Sequence, residues 1–303
     1  MITFLNKYKA YTLGVYAFFI LLHFVLKDHL FPLSILFYAT PLVLTIGFGC
    51  TILWLYKKNR IALFLIIILQ SCLVYYWLNH QYSIAITKTT SVESKSILFW
   101  NIAKNENGFP EDIILDKTTS EDIAILTFVE ADNVSYKDFL NLKNLYNQYT
   151  FKKLKGNMLI GVKGSIESIM YKTEENKFKF NHIISEIDNK KTSILIVDVY
   201  ANPFYSKEDA LKSIITYANI NKIDIIVGDF NTPYESIHFK NLHKTFTSFH
   251  SYGDSFTATW PFGIPLLELD QIWVDESVYP LNLKKYNFLF SDHQLLIANY
   301  LLK

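Results

Sequence analysis

The stretch Ile223-Asp224-Ile225-Ile226-Val227-Gly228-Asp229-Phe230-Asn231 passes from a β-branched apolar run into a glycine and two polar side chains within four residues. An apolar run of this kind fits a strand covered on both faces, with the polar groups standing where the strand ends. Taken alone, Gly-Asp-Phe-Asn is also an ordinary strand-to-loop turn. Its neighbours along the chain change that balance, because polar groups mark the end of one apolar run after another.

Working outward, strands are expected at Ile97–Ile102, Ile123–Val129, Ile194–Tyr200, Ile223–Val227, Leu267–Val274 and Leu295–Leu301, with a helix over Lys207–Ile220. Asn101 closes the first strand and Glu130 the second, Asp270 lies within the fifth, and Ser291-Asp292-His293 leads into the last. Singly, each is more often a turn residue or a solvated strand-end group. Strand ends of a shared sheet can converge on one crevice, so groups far apart in sequence could meet there. Oxygen ligands with a single imidazole suit a hard cation such as Mg²⁺, with Mn²⁺ as an alternative, better than zinc.

The series Asn101, Glu130, Gly228-Asp229-Phe230-Asn231, Asp270 and Ser291-Asp292-His293 resembles the endonuclease/exonuclease/phosphatase superfamily over roughly residues 95–303. The resemblance implies an α+β fold, a four-layer α/β/β/α sandwich with two mixed β-sheets and the site at one mouth. It implies metal ligation by Glu130 and Asn101, with Asp292 binding or orienting nearby. Asp229 would position or deprotonate the attacking water, and Asn231 would donate a hydrogen bond to the phosphorane oxygens. His293, oriented by Asp270, would contact or protonate a phosphate oxygen. Phosphoryl chemistry needs these parts under any family name: charge neutralised on non-bridging oxygens and a water aimed in line. One position departs from the pattern. Where many members carry a strand histidine, this chain reads Val197-Asp198-Val199-Tyr200-Ala201-Asn202-Pro203. Tyr200 occupies that place, or Asn202 in a shifted register, and a phenol donates a hydrogen bond but is no imidazolium acid.

The N-terminal part is of another kind. Ala10–Leu26, Leu30–Tyr56 and Ile61–Leu78 carry no charge, and each has about the 17–25 residues that cross a hydrocarbon core. Three membrane helices within residues 1–78, a Ser/Thr-rich linker at 79–95 and the catalytic domain at 96–303 are expected. Pro32 and Pro41 in the second run are tolerable inside a membrane. Lys7 and Lys9 before the first span and Lys57, Lys58 and Arg60 before the third assign those segments to the cytoplasm, and the C-terminal domain to the other side. Three spans before such a domain, with Thr259-Trp260-Pro261 ahead of Asp270, are similar to a bacterial inner-membrane branch of the superfamily.

Charge narrows the substrate. Of 29 basic and 28 acidic residues, seven and one fall within residues 1–88, leaving 22 and 27 after them; Arg60 is the only arginine. A domain gripping long nucleic acid usually has a basic surplus and arginine forks. Lys152-Lys153-Lys155 is the run that would have to supply such a grip, and lysine runs are usually solvated faces. A phosphoester substrate, either a diester or a monoester and including a lipid headgroup, is therefore preferred over DNA or RNA. A nuclease is the enzymatic alternative. A catalytically silent membrane protein using the fold for binding is the other, with only the missing histidine in its favour. Cys50 and Cys72 lie in apolar runs and offer neither a disulfide framework nor a zinc cluster, and no protein partner is inferable.

Overall fold

Residues 2–84, 94–103, 108–261 and 263–303 are described by the computed structural model, which divides into two units, Met1–Tyr82 and Ser83–Lys303. Most of the expected linker, residues 85–93, lies outside the described residues, and residues 79–81 prolong a helix.

In the first unit, α1 (Ile2–Leu21) runs on into a π-helical turn at Leu22–Leu26, followed by α2 (Leu33–Ala39), α3 (Leu42–Tyr56) and α4 (Arg60–Gln81). Asn59 caps α4, its side chain accepting from the Ala62 amide at 3.1 Å. Tyr8–Leu26 and Arg60–Gln81 are long and apolar enough to cross a membrane; α2 and α3 meet at 83° and make a third span only if the bent pair is counted as one. The single helix expected across Leu30–Tyr56 is thus corrected to two. Pro41 has no amide hydrogen, and its ring disfavours helical backbone at the residue before it. Thr40 accordingly sits at φ −124°, ψ 73° between the two helices.

The second unit opens with β1 (Lys95–Asn101), α5 (Glu111–Ser120), β2 (Ile123–Val129), α6 (Tyr136–Leu145), β3 (Thr150–Leu154) and β4 (Met158–Val162). It continues through β5 (Ser165–Glu174), β6 (Phe178–Ile187), β7 (Lys190–Val199), α7 (Lys207–Ile220), β8 (Ile225–Asp229), β9 (Thr247–Ser248) and β10 (Asp270–Val274). β11 (Val278–Tyr286) and β12 (Leu295–Leu302) end it. One sheet has the order β11-β12-β1-β2-β4-β3 and the other β5-β6-β7-β8-β10-β9. Both are mixed, with β1–β2 and β7–β8 the parallel pairs.

Alternation along each strand builds four layers. Ile97 and Phe99 of β1 pack with Ile196, Val227 and Ile272 in a core between the sheets. Leu98 and Trp100 turn the other way, onto a cluster holding Ile114 of α5 and Leu142 of α6. On the far side, Leu195, Val197 and Ile226 pack with Ala210, Leu211 and Ile214 of α7. Each fully buried large side chain contributes about 1.5–3 kcal/mol. This double burial explains the near-continuous apolar runs, and the layers are the four-layer α+β sandwich expected. β5 was not expected because its side chains are mostly exposed and its sequence polar.

Candidate active site

Register lines up the chemistry. Asp198 of β7 is paired with Asp229 of β8, and Asp229 with Asp270 of β10. Paired residues project from the same face, and Ile196, Val227 and Ile272, two residues away on each strand, lie in the inter-sheet core. Three carboxylates therefore stand abreast at the mouth between the sheets. From the opposite sheet comes Asn101, two residues beyond Phe99 on the inner face, with Glu130 just past its register partner Val129. Glu130 holds φ +52°, a left-handed backbone position uncommon for a residue with a Cβ.

These groups are tied together. Asn101 Nδ2 donates to Asp229 Oδ2 at 2.9 Å and to Glu130 Oε1 at 3.2 Å, bridging the sheets. Asp229 Oδ1 accepts from the Asn231 amide at 2.8 Å. Asn231, at φ +45°, donates one side-chain N–H to the Val199 carbonyl at 2.9 Å. His293 Nδ1 lies 2.8 Å from Asp270 Oδ2, and its Nε2 lies 3.9 Å from Asp229 Oδ2. Two bonds fix the imidazole from behind: its amide donates to Ser291 Oγ at 3.1 Å, and its carbonyl accepts from Trp100 Nε1 at 3.0 Å. Ser291 Oγ in turn donates to the Asn101 carbonyl at 2.7 Å, joining both ends of the site.

Burial shapes the charges. Burial and the neighbouring Asp270 raise the Asp229 carboxyl above its ordinary range. Burial alone would lower His293, but the flanking Asp270 and Asp229 carboxylates carry it up to about 10, so it is an imidazolium at neutral pH. Its Nε2 is then a proton donor facing the mouth. Asp198 is pushed up to about 6 by burial, partly offset by Lys179 at 2.9 Å. Lys207, buried at the start of α7, donates to the Tyr200 carbonyl, and burial pushes its ammonium down to about 8.

Tyr200 and Asp292 stand apart from this hydrogen-bonded cluster. Tyr200 lines a cleft of about 330 Å³ with Glu130, Asn231, Asp198 and Lys179. Asn202, the shifted-register alternative, instead accepts from the Phe204 amide in a turn. Asp292 is exposed, its Oδ2 accepting from Trp260 Nε1 at 3.0 Å.

The donor set fits a divalent cation. Asp229, Asp270 and His293 each present a ligand atom within 4.8 Å of one another, a set that could hold a metal ion. A second oxygen-rich place is at Glu130 and Asn101, where an amide N–H₂ points at two carboxylates. To offer Oδ1 there, Asn101 would turn about its terminal bond, giving up its two carboxylate bonds and the Ala103 amide that Oδ1 accepts from at 3.0 Å, and would then supply the oxygen a hard cation takes. Asp270 Oδ1 is buried with no hydrogen-bond partner among the described residues.

Residues 98–293 match the sequence model of the Endonuclease/Exonuclease/phosphatase family. The chain belongs to that family. Endonuclease, exonuclease and phosphatase all name phosphoester hydrolysis, so this member is a hydrolase of phosphate ester bonds, and enzymes of the family typically use divalent metal ions. A humanised D. rerio TDP2 is 12% identical and covers 69% of this chain and 99% of its own, at a TM-score of 0.54. An endonuclease/exonuclease/phosphatase from Bacteroides vulgatus is 14% identical over 70% of this chain and 100% of its own, at 0.52. The human Nocturnin catalytic domain with bound sulfate is 16% identical over 69% and 95%, at 0.51. These likenesses are of fold. No curated protein matches the chain in sequence.

The mouth also holds residues that sequence reasoning passed over. Asp198 carried a signal, a lone carboxylate inside an apolar strand. Lys207 carried another, a lysine in the first turn of a helix, where the dipole disfavours it. Thr259, whose Oγ1 accepts from the Asp270 amide at 3.1 Å, had been noted only within Thr-Trp-Pro.

Proposed function

We propose that this family member is a membrane-anchored, Mg²⁺-dependent phosphoesterase, with Mn²⁺ as a substitute, acting on a phosphodiester or phosphomonoester outside the cytoplasm. The observation that carries it is the bridge from Glu130 through Asn101 and Asp229 to the His293–Asp270 pair, which sets a cation pole and a proton-donor pole on opposite sides of one mouth.

Held by Glu130 and Asn101, the metal when bound would neutralise charge on the phosphoryl oxygens. Asp229, a carboxylate of raised basicity fixed by the Asn231 amide and Asn101, takes the proton of the attacking water. Asn231 keeps a second side-chain N–H for a phosphorane oxygen. His293 Nε2–H, oriented by Asp270, donates to another phosphoryl oxygen or to the leaving oxygen. The Tyr200 phenol supplies a further hydrogen bond at the place of the usual strand histidine. Asp292, steadied by the Trp260 indole, orients the metal side from the rim.

The test is hydrolysis of bis-p-nitrophenyl phosphate and p-nitrophenyl phosphate by the full chain in detergent. Turnover with Mg²⁺ or Mn²⁺ is expected to vanish in EDTA and to fall about 10²–10³-fold in Asp229→Asn. The diester-to-monoester ratio would narrow the substrate. Metal-independent turnover, or an unimpaired Asp229→Asn, would sink the assignment.

Against a nuclease stands the placement of the lysine run. Lys153 Nζ is spent on the carbonyls of Val134 and Ser135 at 2.5 and 3.3 Å, at the start of α6. Lys155 Nζ lies 6.0 Å from the Tyr171 ring centroid.

A further inference from the structure

Three loops leave the strand ends that carry the site. One continues β7 from Tyr200 to Ser206, one joins Trp260 to Leu267 ahead of Asp270, and one runs from Asn287 to Asp292 ahead of His293. Their sequences are Tyr-Ala-Asn-Pro-Phe-Tyr-Ser, Trp-Pro-Phe-Gly-Ile-Pro-Leu-Leu and Asn-Phe-Leu-Phe-Ser-Asp. None contains a lysine or an arginine. Each nonetheless presents a large apolar side chain to solvent: Phe204 is 66%, Ile264 74% and Leu289 90% exposed. Single exposed apolar residues are common, but three on separate loops around one mouth need an account.

The described residues of these loops are held by specific contacts. The Leu266 and Leu267 amides donate to the Trp260 carbonyl at 2.8 and 2.9 Å, closing the middle loop with Ile264 at its tip. Phe288 and Phe290 flank Leu289 and pack against the buried Trp100 at ring distances of 5.7 and 5.4 Å, so Leu289 is held outward between two anchored neighbours. Tyr205 stacks edge-on against Tyr200 at 5.5 Å, fixing the loop that carries Phe204.

We propose that Phe204, Ile264 and Leu289 form an apolar rim that inserts into a lipid surface, so that the site takes its phosphoester from a lipid at the membrane interface. That the site takes its phosphoester from a lipid rests on the phosphoesterase reading; the insertion itself does not. Aromatic and aliphatic side chains without charge are the composition that settles at the headgroup boundary. The same chain carries two helices able to cross a bilayer, which keeps a lipid surface at high effective concentration. Single-stranded nucleic acid would also take aromatic platforms, but with a basic groove beside them. The rim loops offer none, and the domain is acidic.

The experiment uses the full chain with Cys50→Ser and Cys72→Ser, reconstituted in phosphatidylcholine–phosphatidylglycerol vesicles. An environment-sensitive NBD label is placed in turn through Phe204→Cys, Ile264→Cys, Leu289→Cys and, as a control, Asn189→Cys. Asn189 lies in the turn before β7, at the other end of that strand and about 30 Å from Tyr200. The rim labels are expected to shift to the blue and to lose about half their emission or more to brominated phosphatidylcholine, with the control unchanged. Rim labels that report water, or a control quenched equally, overturn the proposal. So does a response to oligothymidylate in place of lipid. Bis-p-nitrophenyl phosphate turnover in the same vesicles is read separately: its absence with an inserted rim would count against the phosphoesterase and leave the rim standing.

Discussion

Asn101 shows how much one side chain does here. Its side-chain amide holds two carboxylates from separate segments that would otherwise repel, and its backbone carbonyl accepts from Ser291 Oγ behind His293. Glu130→Gln keeps the shape and removes the charge that holds a cation, so the metal concentration for half-maximal turnover should rise about 10–100-fold. A metal titration of bis-p-nitrophenyl phosphate hydrolysis checks this, and an unchanged midpoint would move the cation pole elsewhere. His293 makes a second prediction. Its pKa rises from 6.5 to about 10 in the folded protein, through Asp270 and Asp229. The folded state therefore binds the proton more tightly, and the stabilisation is fully present below about pH 6.5 and is lost as pH climbs through 10. Thermal melts in EDTA should show His293→Gln most destabilised relative to the parent at low pH, with the gap closing toward pH 10. A gap that widens with pH would contradict the imidazolium assignment.

Among the elements, the parallel pair β7–β8 positions Asp198 and Asp229, and it depends on a glycine. A Cβ built on Gly228 would stand 1.9 Å from the Val197 carbonyl oxygen, a backbone atom that cannot swing aside. Gly228→Ala should therefore force the two strands apart and cost several kcal/mol, about the upper range for single substitutions. Chemical denaturation of the variant measures it, and a loss below about 1 kcal/mol would mean the pair is looser than its register indicates. The same glycine explains the legibility of Gly-Asp-Phe-Asn: close strand approach, then a carboxylate at the sheet end, then a left-handed Asn231. α7 was legible as well, since its apolar spacing places Ala210, Leu211, Ile214 and Ala218 on one buried face. β3, β4, β5, β6, β9 and β11 were not anticipated; β5, mostly exposed and of mixed polarity, has neither the apolar run nor a clean alternation.

For the whole molecule, the side on which the site works depends on the parity of membrane crossings. If the bent α2–α3 pair crosses as one span, Lys7, Lys9 and the Lys57–Arg60 loop share a side and the C-terminal domain lies on the other. If it does not, α1 and α4 alone place the two basic segments on opposite sides, against the bias of short loops. On the proposed membrane anchoring, the charge bias therefore predicts three crossings and an extracytoplasmic site. A reporter fused after Lys303 that works only outside the cytoplasm should be active; a silent, well-expressed fusion would reverse the orientation and make the bent pair re-entrant.

The sequence by itself marked the apolar N-terminal segment, several near-continuous strands of a doubly covered sheet and, through an order of strand-end polar groups that resembles the family, the candidates Asn101, Glu130, Asp229, Asn231, Asp270 and His293. Only the tertiary structure decided how these side chains combine. Register across β7, β8 and β10 sets Asp198 beside Asp229 and Asp270, and the Asp270 and Asp229 carboxylates raise the His293 pKa against the effect of burial, neither of which any local pattern records. The break at Thr40-Pro41 likewise needed the folded chain: a proline marks where a helix can fail, and the packing around it decides the angle.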